Sequence, residues 1–535
     1  MNPAALKAHL GELPKGSLLI VNTDEFTESN LRKALYAENP LEDDSLAAYR
    51  TVKVPISSMN ARALADSGLN TKQIDRSKNS FALGLMFWLY ERPMDSTIRW
   101  FEEKFARNPE VRDANITTMK AGYNLGETME LFPQRYRVAK ADLPPGRYRN
   151  ITGNAATALG FLAASKLAGL PLFYGTYPIT PASDILHELS RFKNFGVKTF
   201  QAEDEIAAMG SAIGASFGGY LGLTGTSGPG LALKSEALGL AVMVELPLVV
   251  AMIQRSGPST GMPTKTEQSD LNIAVFGGAG DARRIVLAPT NVEGCWRCAS
   301  KAFEMAEKYQ VPVIVLLDLY LSNRYETAFI PEGAGLQVDR EKAQEKVDGK
   351  PFRRFRITTS GVSARALPGD PNGIHVVTGL EHNEFGHPGD GSDLHEAMSE
   401  KRHSKLNGVF RHPKITKQKR FGDSGQVEIG LLAWGSTFGE ALEAMMLAQA
   451  EGIRCAAMKV VLLSPFPARE VKKFVNDCQQ LLVPEVNYEG QFAQLVCGNL
   501  GIPVNRLNRV AGAPISVPEI LEKIRALTEK KRACM

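Results

Sequence analysis

The chain reads as a multi-domain α/β protein built on parallel sheets. Three observations carry that reading. Apolar runs without polar alternation, such as 246–254 and 311–319, mark strands covered on both faces. Helical patterns alternate with them, as crossovers between parallel strands require. The chain has 535 residues, 44% hydrophobic and 22% charged, enough for about three domains with buried cores.

Residues 1–145 form the first unit. Ser17-Leu18-Leu19-Ile20-Val21-Asn22 reads as a strand, and helical patterns follow over 79–90 and 97–105. Leu143-Pro144-Pro145-Gly146 is a linker signal. The second unit, 146–330, has strands at 171–175, 220–224, 246–254, 284–288 and 311–319, with helices over 183–192 and 205–217. Residues 331–425 are an irregular, more basic connection, with Lys350-Pro351-Phe352-Arg353-Arg354-Phe355-Arg356 and the stretch 414–420. The last unit, 426–535, alternates again, with strands at 429–435, 455–463 and 481–486. No internal repeat or low-complexity segment is evident.

The net charge of +4 is too small to point to nucleic acid or to an anionic membrane surface. The longest apolar stretch, 238–253, is broken by Glu245 and Pro247, so it does not read as a membrane span. The first residues lack the basic start and apolar core of a secretion signal. Six cysteines scattered through the chain suggest reduced thiols and a cytoplasmic protein. Cys295-Trp296-Arg297-Cys298 is a lone CxxC inside the helical pattern 291–310, which favours helix packing over a redox or metal role. No run of cysteines suits an iron–sulfur cluster.

Several motifs invite chemistry. Thr224-Gly225-Thr226-Ser227-Gly228-Pro229-Gly230 resembles a phosphate loop, but Leu231 follows where a lysine is needed and Lys234 comes too late. His382 and His387 are five apart and followed by proline and glycine, so they read as a loop rather than a metal-binding helix face. Lys401, Arg402, Lys417, Lys419 and Arg420 read first as a solvated basic face. Gln201-Ala202-Glu203-Asp204-Glu205 puts three acids at the start of an apolar helix. There they either serve chemistry or favour the helix dipole by about 0.3–1 kcal/mol each. Tyr177-Pro178-Ile179-Thr180-Pro181 fixes a hydroxyl between two prolines, as a tight turn or as a ligand contact. Arg255 lies just past a strand, in Gln254-Arg255-Ser256-Gly257-Pro258-Ser259-Thr260-Gly261-Met262-Pro263-Thr264. That end of a parallel sheet is where ligands bind. A planar guanidinium beside a fixed hydroxyl suits a small carboxylate.

These segments resemble the α subunit of the 2-oxoacid:ferredoxin oxidoreductases, and the 2-oxoglutarate branch in particular. The resemblance runs through most of the chain. It implies that 146–330 is a pyrimidine-type thiamine diphosphate domain and that 426–535 is similar to a transketolase C-terminal domain. Residues 1–145 resemble only the second half of a γ domain, so an apolar sheet edge is expected there. By the same resemblance, Glu205 meets the aminopyrimidine, with Glu203 as the fallback, and Gly228 and Gly230 wall the cofactor pocket. Arg255 and Thr180 hold the substrate carboxylate, and Thr264 supplies a second hydroxyl. Lys265, from its charge and position, is placed to reach a distal carboxylate.

The implied reaction is coenzyme A-dependent oxidative decarboxylation of 2-oxoglutarate to succinyl-CoA and carbon dioxide, with electrons passing to ferredoxin. The implied β subunit carries Mg2+, the diphosphate site and a 4Fe–4S cluster, in an (αβ)2 assembly. Contact with coenzyme A phosphates or with the partner is the alternative reading of the basic residues 401–420. Rival functions are the same chemistry on pyruvate or a branched-chain 2-oxoacid, a non-catalytic assembly subunit, and a carboxylate-binding module.

Overall fold

A computed structural model describes residues 1–129, 132, 134–329, 338, 340, 351–411 and 418–533. The chain forms two compact units, Met1–Pro144 and Pro145–Met535.

In the first unit, β1 (Leu18–Asn22) and β2 (Arg50–Val54) pair in parallel. Leu19 and Val21 pack with Leu6 and Leu46, while Val54 joins Phe81, Leu85 and Trp88. The helix Thr71–Leu89 opens on a capping box between Asn70 and Gln73. It packs on Pro109–Thr128 with backbones almost touching. A Cβ at Gly84 would lie 1.8 Å from the Met119 carbonyl oxygen.

The second unit is the parallel α/β structure the apolar runs predict. Its strands begin with β3 (Tyr148–Thr152), β4 (Leu172–Thr176), β5 (Val197–Gln201), β6 (Leu221–Thr226) and β7 (Leu248–Gln254). They continue with β8 (Ile285–Leu287), β9 (Pro312–Asp318), β10 (Tyr325–Phe329), β11 (Arg420–Gly422) and β12 (Val427–Ala433). β13 (Cys455–Lys459), β14 (Leu462–Ser464), β15 (Cys478–Glu485) and β16 (Asn505–Asn508) complete the set.

One sheet has the order β14-β8-β9-β7-β6-β4-β5, parallel except where β14 joins β8. Every residue of β7 and β9 is buried, which is why both lack polar alternation. Phe161 and Phe303, on the helices Gly153–Ala168 and Val292–Tyr309, pack over one face. Met209 and Leu238, on Glu205–Phe217 and Ser235–Met243, cover the other. That second core also contains Leu432, Trp434 and Val483, so it is shared with the second sheet, β11-β13-β12-β15-β16. β3 and β10 form a separate antiparallel ribbon.

The solvated basic face expected at Lys401, Arg402 and Arg420 is corrected, while Lys419 is exposed as expected. Lys401 is 2% exposed and its Nζ donates to both Glu245 oxygens at 2.7 and 2.6 Å. Lys405 joins the same carboxylate, and buried Arg354 donates to the Glu245 carbonyl at 2.7 Å. Burial alone would raise the Glu245 carboxyl, but Lys405, Lys401 and Arg354 hold it down at about 2. Arg402 meets Glu381 at 2.8 Å, and Arg420 pairs with Asp477. Each acid lies far along the chain from its base, so local charge pattern does not reveal the pairing. Lys350, His412, the stretch 414–417 and Cys534 lie outside the described residues.

Cys295 and Cys298 are buried in the helix Val292–Tyr309. Burial pushes both thiols up, Cys298 to about 12. His382 is buried against Phe355, with ring centres 4.1 Å apart.

Candidate active site

Four neighbouring strands, β7, β6, β4 and β5, end on the same edge of their sheet. Their C-terminal loops begin with Arg255, Ser227, Tyr177 and Ala202 respectively. Every motif residue singled out between 177 and 265 therefore lies on or beside this edge, the ligand-binding end of an open parallel sheet.

Asp204 caps the helix Glu205–Phe217 by accepting from the Ala207 N–H at 2.7 Å. Glu205 is the first residue of that helix and is partly buried, whereas Glu203 is exposed. The Tyr177 and Thr226 hydroxyls share a buried hydrogen bond of 2.9 Å. Gly230 packs directly beneath them. A Cβ there would lie 2.0 Å from the Tyr177 hydroxyl, 2.2 Å from Thr226 Oγ1 and 3.2 Å from Glu205 Cγ. Only glycine permits that approach. Burial raises the Tyr177 hydroxyl's pKa; Thr226 opposes the shift and Glu205 adds to it.

Arg255 is 5% exposed and donates through Nη1 to the Thr180 carbonyl at 2.7 Å. Its Nε is buried with no hydrogen-bond partner among the described residues. Thr180 is exposed, so the contact with Arg255 is made by its backbone while its side chain meets solvent. Asp270 Oδ2 is likewise enclosed and unpartnered among the described residues. Burial and Glu267 push the Asp270 carboxyl up to about 7, and Arg255 partly offsets them. Gly228 sits against this acid, since a Cβ there would meet Asp270 Oδ2 at 2.8 Å. Thr264 and Lys265 are exposed on the loop after β7. The Lys265 stem packs against Gly512, whose Cβ would come within 2.9 Å of it.

Two charged residues of the cluster escape the motif reading. Lys234, dismissed as a misplaced phosphate-loop lysine, is fully buried. Its Nζ donates to Thr224 Oγ1 at 2.8 Å and to the Gly225 carbonyl at 3.4 Å, and lies 5.0 Å from the Tyr177 ring centre. A single lysine inside Gly230-Leu231-Ala232-Leu233-Lys234-Ser235-Glu236-Ala237-Leu238 is the signal that marks it. Asp270 carries no comparable signal, because its environment comes from Gly228 and Arg255, distant in sequence.

Comparison with known proteins places the chain. The pyruvate flavodoxin/ferredoxin oxidoreductase thiamine diphosphate-binding model matches residues 164–398. Models for pyruvate:ferredoxin oxidoreductase core domain II and for pyruvate ferredoxin/flavodoxin oxidoreductase match 427–520 and 1–125. The 2-oxoglutarate oxidoreductase subunit KorA of Mycobacterium tuberculosis is 43% identical over 98% of this chain and 80% of its own length. The α subunit of 2-oxoacid:ferredoxin oxidoreductase 2 of Aeropyrum pernix is 31% identical over 90% of this chain and 77% of its own. A solved 2-oxoglutarate:ferredoxin oxidoreductase from Magnetococcus marinus, with 2-oxoglutarate, coenzyme A and succinyl-CoA bound, is 32% identical. It covers 98% of this chain and 87% of its own, with a TM-score of 0.86. Sheet topology, domain matches and near full-length identity agree, and the chain belongs to the 2-oxoacid:ferredoxin oxidoreductases as an α subunit.

Proposed function

We propose that this chain, with a β subunit, carries out the coenzyme A-dependent oxidative decarboxylation of 2-oxoglutarate to succinyl-CoA and carbon dioxide, with ferredoxin as electron acceptor. The observation that carries the reading is the gathering of Glu205, Tyr177, Thr226 and Arg255 at four adjacent strand ends. It occurs in a chain 43% identical to a 2-oxoglutarate oxidoreductase subunit.

The residues present fit thiamine diphosphate on one side. A partly buried acid, Glu205, lies beside the exposed Ile206 and above a glycine floor. When bound, thiamine diphosphate supplies the carbanion chemistry by which a 2-oxoacid loses carbon dioxide. Glu205 is the residue to hold a proton on its carboxyl against the aminopyrimidine, and its enclosure by Tyr177 and Gly230 favours it over the solvated Glu203. Gly228 and Gly230 keep the floor low. Arg255 is the guanidinium for the substrate's 1-carboxylate in this reading, with its Nη1 held by the Thr180 carbonyl and Thr180 itself exposed. Thr264 is a second hydroxyl on the same loop, and Lys265 is the candidate for the distal carboxylate.

Ile206, which follows Glu205, and Phe200, on the edge strand β5, are 57% and 46% exposed, which supports a site completed by another subunit. In this reading the β subunit brings the diphosphate and Mg2+ site and the 4Fe–4S cluster, in an (αβ)2 assembly. Among the described residues no helix is long and apolar enough to cross a membrane, in keeping with a cytoplasmic enzyme. The division into 1–145, 146–330, 331–425 and 426–535 is part of the same proposal.

The test mixes this chain with its β subunit, thiamine diphosphate, Mg2+, coenzyme A and a low-potential acceptor. Reduction that needs both chains and coenzyme A, and prefers 2-oxoglutarate to pyruvate, is the expected outcome. Preference for pyruvate would overturn the substrate assignment, and no reduction with any 2-oxoacid would overturn the enzyme reading.

A further inference from the structure

We propose that a cleft at the edge of the main sheet opposite the candidate active site binds a nucleoside phosphate, its phosphate met by Arg284 and its base by Phe276 and Phe410. The placement follows from the topology. β7 and β8 both run parallel to β9, so their C-terminal ends share the candidate active-site edge. Between them the helix Leu271–Phe276 carries the chain back to the other edge, where β8 begins. Arg284 directly precedes β8, and its carbonyl accepts from the Ser464 hydroxyl on β14 at 2.8 Å.

Arg284 is set apart from the other buried arginines. Among the described residues these are Arg255, Arg354 and Arg365. Arg354 is set against Glu245 and Arg365 against Glu307. Arg255 belongs to the site already described. Arg284, in the cleft wall and 3% exposed, pairs with no acid among the described residues. Its Nη2 donates to the Gly277 carbonyl, and its Nε has no hydrogen-bond partner there. A buried charge costs several kcal/mol unless it is compensated. Phosphate is an anion that the planar guanidinium suits. Arg283 and His403 add two basic groups to the same cleft, against one acid, Asp281.

The rest of the cleft suits a flat ring. Phe276 and Phe410 both border it, 67% and 47% exposed. A single exposed phenylalanine is ordinary, but two beside one unpaired guanidinium offer stacking surface next to a phosphate site. Any nucleobase presents a face to such a ring. Inorganic phosphate alone would leave both rings in water. The cleft has a volume of about 390 Å³, within the about 300–1,000 Å³ of small-molecule sites.

The test is calorimetric titration of ADP, GDP and inorganic phosphate into the assembled complex of this chain and its β subunit. Wild type is compared with Phe276→Ala, Phe410→Ala and Arg284→Gln. ADP or GDP is expected to bind more tightly than inorganic phosphate. Each phenylalanine variant is expected to weaken that binding about tenfold, the size of a base–aromatic contact. Arg284→Gln is expected to weaken it about 10–100-fold, the size of a hydrogen bond to a charged group. The exposed Phe276 and Phe410 variants keep the test decisive if Arg284→Gln does not assemble. Failure of both nucleotides to bind would overturn the proposal. So would inorganic phosphate binding as tightly as they do. Nucleotide binding that the phenylalanine variants leave unchanged would place it elsewhere, the coenzyme A site included, and would equally overturn the proposal.

Discussion

Arg255 sits buried with one N–H on the Thr180 carbonyl and its Nε without a hydrogen-bond partner among the described residues, and in the proposed reading its guanidinium meets the substrate carboxylate. Replacement by lysine keeps the charge but loses the planar fork. Arg255→Lys is expected to raise KM for 2-oxoglutarate about 10–100-fold, matching about 1.5–3 kcal/mol for a hydrogen bond to a charged group. Steady-state kinetics on the reconstituted enzyme checks this. Lys265→Met is expected to narrow the preference for 2-oxoglutarate over pyruvate, and an unchanged kcat/KM ratio would remove Lys265 from substrate recognition.

Asp270 gives a pH signature. Its folded-state pKa is raised to about 7, so the folded chain binds a proton that the unfolded chain has already released above about pH 4. Its contribution to stability therefore falls as pH rises from about 4 to 7, by up to about 1.4 kcal/mol per unit. Asp270→Asn should remove that slope, so that the Tm difference from wild type grows over this range and flattens above it. The positions of Arg255 and Glu205, just past a strand end and at a helix start, were legible in the sequence. Asp270 and Lys234 were not, because what makes them unusual is burial against residues from other strands.

Helices and strands show the same division. The helix Glu205–Phe217 starts and stops where its acids and small residues indicate. The run 455–463 is apolar except for Lys459 and reads as one strand, yet the chain leaves one sheet after Lys459 and enters the other at Leu462. Nothing local marks that crossing. β5 is an edge strand, Val197-Lys198-Thr199-Phe200-Gln201, too polar to stand out. Close packing between elements is testable directly. Gly84→Ala puts a methyl within 1.8 Å of the Met119 carbonyl, and overpacking of this kind costs about 1–3 kcal/mol. The melting transition of the first unit is expected to drop accordingly. Glu245→Gln strands Lys401, Lys405 and Arg354 without their shared counter-charge. It is expected to destabilise the second unit by about 3–5 kcal/mol in chemical denaturation. In the wild type, the stability from Glu245 is full above its unfolded value of 4.5 and is lost as pH falls towards 2.

For the whole molecule, fold class and family were readable from the order of apolar runs and from the loops at strand ends. The contacts tying 351–411 to Glu245, through Arg354, Lys401 and Lys405, were hidden, since each joins residues far apart in the chain. The proposed reading puts a partner surface at the exposed Ile206, so Ile206→Lys should abolish co-elution with the β subunit while leaving the melting of this chain unchanged. The most direct measurement is turnover of 2-oxoglutarate by the reconstituted enzyme carrying Glu205→Gln or Glu203→Gln. Loss of a positioned acid–base group costs about 100-fold or more in rate. Glu205→Gln is therefore expected to lower kcat by at least that factor, with Glu203→Gln within about twofold of wild type. The opposite ranking, or full activity in both, would contradict the placement of the active site at Glu205.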